Sequence, residues 1–214
     1  MNTRKVGVAI GFAAGILSLA GCAGKTRYPN YYVLNLPAPV AQRLQSSPSL
    51  GTVAVREFRA PAFLSGGPIV YHPSEERVEF YNYHHWAEDP RKVVTARMIG
   101  ELQARGIFLS VNVFDGHPSD CIVTGTLDHL EEVDQGSSVS IEVSLSATLR
   151  NLTTSEVLWH GTALRKANVD ERSVSGVVAE MSRELDMAIE ELVSSMQNRL
   201  STRPSSARTA SVEP

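Results

Sequence analysis

The stretch VSIEVSLSATL, residues 139–149, decides the architecture. Val139, Ile141, Val143, Leu145, Ala147 and Leu149 alternate with Ser140, Glu142, Ser144, Ser146 and Thr148. Successive side chains on a strand point to opposite faces, so a strict period of two predicts a long strand with one buried and one wet face. Asn151 to Ser155 turns the chain, and Glu156 to Leu164 returns as the antiparallel partner.

Working outward, the strand signals continue upstream. Tyr31 to Leu36 is a β-branched and aromatic run stopped by Pro37. Thr52 to Phe58 alternates, with Val53, Val55 and Glu57 on one face. Residues 69–83 read as a hairpin after a glycine-rich turn at Ser65-Gly66-Gly67-Pro68. Ile107 to Phe114 and Cys121 to Leu130 are two more strands, divided by Asp115-Gly116-His117-Pro118. Two helices complete the set. One opens at Asp89-Pro90, with Asp89 as N-cap and Pro90 at the first helical position, and stops at Gly106. The other runs from about Ser173 to Leu200. Val174, Val178, Met181, Leu185, Ala188, Leu192, Met196 and Leu200 form its apolar stripe. Its other face carries Glu180, Arg183, Glu184, Glu190 and Glu191. The mixture of signs argues against a helix lying on anionic lipid. The order strands, helix, strands, helix predicts an α+β fold: a mostly antiparallel sheet with two helices packed on one face.

The N-terminus has a different character. Arg4 and Lys5 precede Val6 to Leu19, an uncharged apolar run too short for a spanning helix and right for a signal-peptide core. It ends in Leu19-Ala20-Gly21-Cys22, which resembles the bacterial lipobox. In that motif the small residues admit the scissile backbone to the peptidase, and the thiol carries diacylglycerol through a thioether. Cys22 is therefore the expected lipidation site. Several acyl chains give a stable anchor, since each buried methylene contributes about 0.8 kcal/mol. Ala23 follows where inner-membrane retention favours Asp, which points to the periplasmic face of the outer membrane. The expected domains are a signal peptide over 1–21, a lipidated tether over 22–30, a single folded domain over 31–200 and a disordered tail over 201–214.

Composition excludes several classes. The chain has 214 residues, 43% hydrophobic and 20% charged, enough for a core and against wholesale disorder. The net charge of -3 gives no electrostatic footprint for nucleic acid. Loss of Arg4 and Lys5 with the signal peptide makes the mature chain more acidic still. Two cysteines, one of them acylated, leave Cys121 without an intramolecular disulfide partner. No phosphate-cradling glycine loop, G-x-S-x-G elbow or H-E-x-x-H is present. His84 and His85 are adjacent, so on a strand they face opposite ways and do not converge on a metal. Asp128, Glu131, Glu132 and Asp134 lack the spacing and internal glycine of a calcium loop and read as a solvated strand end. No cofactor, metal or catalytic residue is expected.

One patch stands out. Glu79 to Trp86 reads EFYNYHHW, just before the helix start. Alternation cannot bury Phe80, Tyr81, Tyr83 and Trp86 on one face. Tyrosine and tryptophan with one wet edge are enriched at protein interfaces. Tyr81, Tyr83 and Trp86 are thus the expected partner-binding residues, against the plainer reading of a strand buried on both faces.

Several features in order resemble a known family. After the lipobox come Tyr31-Tyr32-Val33-Leu34 and then Val53-Ala54-Val55. Tyr83, Trp86-Ala87-Glu88 and Pro90 open a helix ending at Arg105-Gly106-Ile107-Phe108. Thr124-Gly125-Thr126-Leu127 then runs into Leu130-Glu131. Over roughly residues 28–200 this resembles the ABC-type transport auxiliary lipoprotein family, also called PqiC-like. It departs at Asp89 and in the C-terminal tail. The resemblance implies a non-catalytic periplasmic lipoprotein of an MCE-type lipid transport system. The implied partners are an MCE-domain protein and, through it, an ABC permease and ATPase; the aromatic corner at Tyr81, Tyr83 and Trp86 is expected to contact either that partner or a neighbouring copy in a homo-oligomeric ring. A lipoprotein that itself binds a lipid in an apolar pocket is the alternative from a different class.

Overall fold

The computed structural model describes residues 27–40, 50–65, 67–134 and 136–202. The signal peptide, Cys22 and residues 203–214 lie outside the described residues, as does most of the loop expected between Ala38 and Ser49. Eight strands form one sheet: β1 (Asn30–Tyr32), β2 (Leu50–Val55), β3 (Pro68–Ser74), β4 (Arg77–Trp86), β5 (Phe108–Val113), β6 (Cys121–Asp134), β7 (Val139–Asn151) and β8 (Val157–Asn168). Two helices, α1 (Pro90–Arg105) and α2 (Val174–Ser201), and a short 3-10 turn at Ala62–Ser65 accompany it.

β6 is the hub. Along one edge it pairs antiparallel with β7 over its whole length, from Cys121 opposite Asn151 to Asp134 opposite Val139. β7 then pairs antiparallel with β8. The other edge of β6 is shared end to end. β2 lies parallel to its start, Val53 opposite Cys121, and β3 lies parallel to its end, Tyr71 opposite Glu132. Between them the chain stays in contact through Arg56 N to Val123 O at 2.9 Å and Leu127 N to Arg59 O at 2.8 Å. β5 flanks β2, while β4 and then β1 flank β3. The long ladders are antiparallel, as the sequence predicts; the parallel joins to β6, β5 and β1 are short.

Both helices lie on one face. Asp89 caps α1 by accepting Arg91 N at 3.0 Å, and Gly106 closes it at φ 58°, the left-handed conformation glycine tolerates. Ser173 caps α2 by accepting Gly176 N at 3.0 Å. Met181, Leu185, Ala188, Leu192 and Met196 of α2 are buried with Val143, Leu145, Ala147 and Leu149 of β7 and with Val94, Met98 and Leu102 of α1. The period-two stripe and the period-3.6 stripe therefore meet in one core.

The structure corrects four expectations. The first strand stops at Tyr32. From Val33 the chain leaves the sheet and straps the helices, burying Leu34 and donating Asn35 N to Ser182 Oγ at 3.1 Å. β2 ends at Val55, after which the chain bends and Phe58, not Glu57, enters the core. β6 runs on to Asp134, and its Glu131 and Glu132 are buried, not a solvated strand end. Glu184, assigned to the wet face of α2, is buried because Arg165 Nε of β8 reaches it at 2.6 Å.

Phe58 has a consequence for Gly125. A Cβ added at Gly125 would sit 2.3 Å from Phe58 Cε1 and 2.8 Å from the backbone oxygen of Ser146. A ring can shift, but a sheet backbone cannot without breaking the β6–β7 ladder. Gly125→Ala is expected to cost about 1–3 kcal/mol, the usual range for overpacking, read as a lower denaturant midpoint at unchanged slope. An unchanged midpoint would show that β7 yields.

Candidate functional site

The aromatic run lies where β4 is most irregular. Val70 pairs with Phe80, yet two residues back along β3 Pro68 pairs with His85, five residues further along β4. Such a bulge re-aims side chains that simple alternation would have sorted onto two faces. It also explains why Tyr81, Tyr83 and Trp86 do not form one surface.

Trp86 is a core residue, 7% exposed. Its backbone N–H donates to Gly67 O at 2.7 Å, and the following Ala87 N–H donates to Tyr32 O at 2.8 Å, fixing the corner before α1. The expected partner contact through Trp86 is corrected on this point: a side chain used to close the core offers no area to a second protein. Tyr81 is half-buried, its ring tilted at 37° against Tyr71 with centres 4.7 Å apart and edge-on to His84 at 5.4 Å. Its hydroxyl donates to Glu132 Oε2 at 2.9 Å. Tyr83 alone of the three stays at the surface, with the Arg27 guanidinium 5.2 Å from its ring centre.

The two histidines do part, as their adjacency requires. His84 Nδ1 bonds with the Tyr32 hydroxyl at 2.8 Å on the inner side, while His85 lies against Tyr31, ring centres 5.9 Å apart. Burial pushes the Glu132 carboxyl above its usual range, although the bond from Tyr81 opposes this. Burial and the same bond push the Tyr81 phenol up. The pair therefore holds as a phenol donating to a carboxyl group.

On the other face of β6, Glu131 sits between two imidazoles. His129 Nδ1 is 2.6 Å from Oε1, and His72 Nε2 is 3.2 Å from Oε2. Among the described residues no group of three or more His, Cys, Asp and Glu is arranged to hold a metal ion. Cys121 is buried, and burial pushes its thiol up to about 11, so it is protonated at neutral pH and unsuited to attack as a thiolate. The sequence signalled none of the Tyr32–His84, Tyr81–Glu132 or His72–Glu131 contacts, because their partners lie far apart along the chain.

The strap over the helices leaves a groove on each side. One, about 480 Å³, lies between Tyr32, Val33 and Asn35 and the α2 residues Val178, Ser182 and Met187. The other, about 310 Å³, lies between Leu34, Leu36 and Pro39 and the α1 residues Val93, Ala96 and Gly100. Both reach the size of a small-ligand site, and both are open to solvent. Among the described residues no helix is long and apolar enough to cross a membrane.

Comparison with known proteins adds the following. A family model for the ABC-type transport auxiliary lipoprotein component matches residues 32–193. The crystal structure of protein XCC0632 from Xanthomonas campestris is similar at a TM-score of 0.69 and 15% identity, over 84% of this chain and 100% of that one. Hypothetical protein CT253 from Chlamydia trachomatis is similar at a TM-score of 0.50 and 10% identity, over 72% of this chain and 100% of that one. At such identities the likeness is one of fold. No curated protein matches.

Proposed function

This chain belongs to the ABC-type transport auxiliary lipoprotein family, and from that premise we propose that it is a non-catalytic, lipid-anchored subunit of an MCE-type lipid transport system. In this reading Cys22 carries the acyl anchor at the periplasmic face of the outer membrane. The folded domain holds the periplasmic end of an MCE-domain protein, which connects to an ABC permease and ATPase, and copies of the domain assemble around it.

The observation that supports this best is an order: a lipobox, a tether of a few residues, and then a family match over residues 32–193. A protein built to hold another at a membrane needs an anchor, little slack and a rigid body. A chain without leash cannot stray far from the bilayer. Cys22→Ser is expected to abolish labelling by a palmitate analogue and to release the protein from the membrane fraction. Affinity capture of the acylated protein is expected to recover the MCE protein. Wild-type protein that takes up no label would overturn the anchor. Labelled protein that never recovers an MCE protein would overturn the partner.

The 480 Å³ groove beside the strap supports a second reading, in which the domain itself holds a lipid chain. Solvent extraction of the purified domain decides it: co-purifying lipid favours the second reading, and a lipid-free extract favours the first.

A further inference from the structure

We propose that the outward side of β1 and of the end of β4 rests on the phospholipid surface to which the chain is anchored. This rests on the acylation of Cys22 proposed above. The surface is made by Tyr28, Tyr31 and Tyr83, which are 78%, 66% and 39% exposed. They are joined by Arg27 over the Tyr83 ring and by His85 against Tyr31.

Two facts of geometry put these side chains together. Tyr32 turns inward against the core, so alternation turns Tyr31 outward. The parallel register of β1 on β4 sets Tyr31 opposite His85, which faces away from His84. Among the described residues β1 pairs with β4 alone, at one end of the strand order.

The lipid surface is favoured as occupant by the chain outside the described residues. Only five residues separate Cys22 from Tyr28, and eight separate it from Tyr31. Even fully extended at about 3.3–3.6 Å per residue, the Cys22-to-Tyr31 segment spans about 32 Å. An anchor at the headgroup level therefore holds this patch within reach of the headgroups. Tyrosine rings with a wet edge are the aromatic side chains that settle at a membrane interface, and an arginine can lay its stem on them while its head meets phosphate. Among the described residues no carboxylate is hydrogen-bonded or ion-paired to Arg27, Tyr31, Tyr83 or His85, whose contacts are Arg27 with Tyr83 and Tyr31 with His85. Leu109, 71% exposed on the edge strand β5 at the other end of the strand order, follows the anchor by 87 residues and has no such tether.

The test uses the acylated protein in vesicles of phosphatidylethanolamine and phosphatidylglycerol containing lipid brominated on its acyl chains. Tyr31→Trp, Tyr83→Trp and Leu109→Trp variants are compared with the parent, whose Trp86 and Trp159 are buried. The added emission at positions 31 and 83 is expected to be largely lost to bromine, and that at 109 retained. Acylated protein with unquenched emission at 31 and 83 would overturn the proposal. So would shielding of position 83 that appears only with added MCE protein or on self-association, whatever the lipid. A mass spectrum without the diacylglyceryl group would instead overturn the anchor, and this surface with it.

Discussion

Arg97→Met is expected to lower the melting temperature of the folded domain by roughly 6–20 °C, the shift produced by a loss of about 3–5 kcal/mol in a domain of this size. Arg97 is the centre of the contact between α1 and α2. Its side chain is 5% exposed. Nε donates to Asp186 Oδ1 at 2.7 Å and Nη1 donates to Glu101 Oε2 at 2.7 Å. Glu101 also accepts from Arg105 Nε at 2.7 Å. Removing Arg97 leaves Glu101 with one cation and takes from Asp186 its bonded partner, both in places that water reaches poorly. That uncompensated charge, more than the lost attraction, is the source of the cost.

The pH dependence follows with its sign. Burial pushes the Glu101 carboxyl up, but the bonds from Arg97 and Arg105 outweigh it and hold the group below its usual range. A lowered folded-state value contributes stability that is present above the unfolded value, about 4.3, and is lost as pH falls through the folded one. Wild type should therefore weaken in acid. Arg97→Met should weaken less, because Glu101 then has only the Arg105 bond left for acid to remove. The gap between the two curves is expected to narrow as pH falls below about 4. Adding Asp186→Leu to Arg97→Met is expected to recover part of the loss, since contacting residues do not act additively. A melting shift of a degree or two for the single variant would mean that solvent screens the network.

Trp86→Ala is expected to cost about 3–5 kcal/mol, the range for deleting a buried tryptophan. Tyr83→Ala, three residues away and at the surface, is expected to stay within about 0.5 kcal/mol. Thermal melting of the two variants side by side separates core from surface within one short stretch of strand. Equal melting temperatures for Trp86→Ala and wild type would return Trp86 to the surface and reopen its role in partner contact.

These residues also show what could be read in advance. The alternation of 139–149 became β7 because a buried strand face leaves its mark at every second position. Asp89-Pro90 and Gly106 became the ends of α1 because caps are local chemistry. The parallel joins of β2 and β3 to β6 were not legible, since a parallel register depends on residues dozens of positions apart. Buried charges were missed for the same reason. Glu184 looks solvated within its own helix, and its burial rests on Arg165 of β8 at 2.6 Å together with Arg183 at 3.0 Å. At the candidate site, the sequence grouped Tyr81, Tyr83 and Trp86, which the structure separates into a half-buried, an exposed and a buried side chain. Pattern alone shows neither that β4 bulges after Phe80 nor that Trp86 falls into the core.

The sharing of one edge of β6 by β2 and β3 bears on how the chain reaches its native state. A polypeptide emerging N-terminus first makes β2 and β3 long before residues 121–134 exist to receive them. The β3–β4 hairpin can close locally, but β2 lies next to β5 and β6, both of them synthesised later. Such pairings carry a high contact order, and loop closure must be spent before they return anything. The β6–β7–β8 meander, by contrast, closes through short turns and has its own apolar face. By contact order it is the expected nucleus, with the N-terminal strands docking later. Until they do, β2 is an unpaired strand bearing Val53 and Val55, the kind of segment that escorting chaperones shield from premature association.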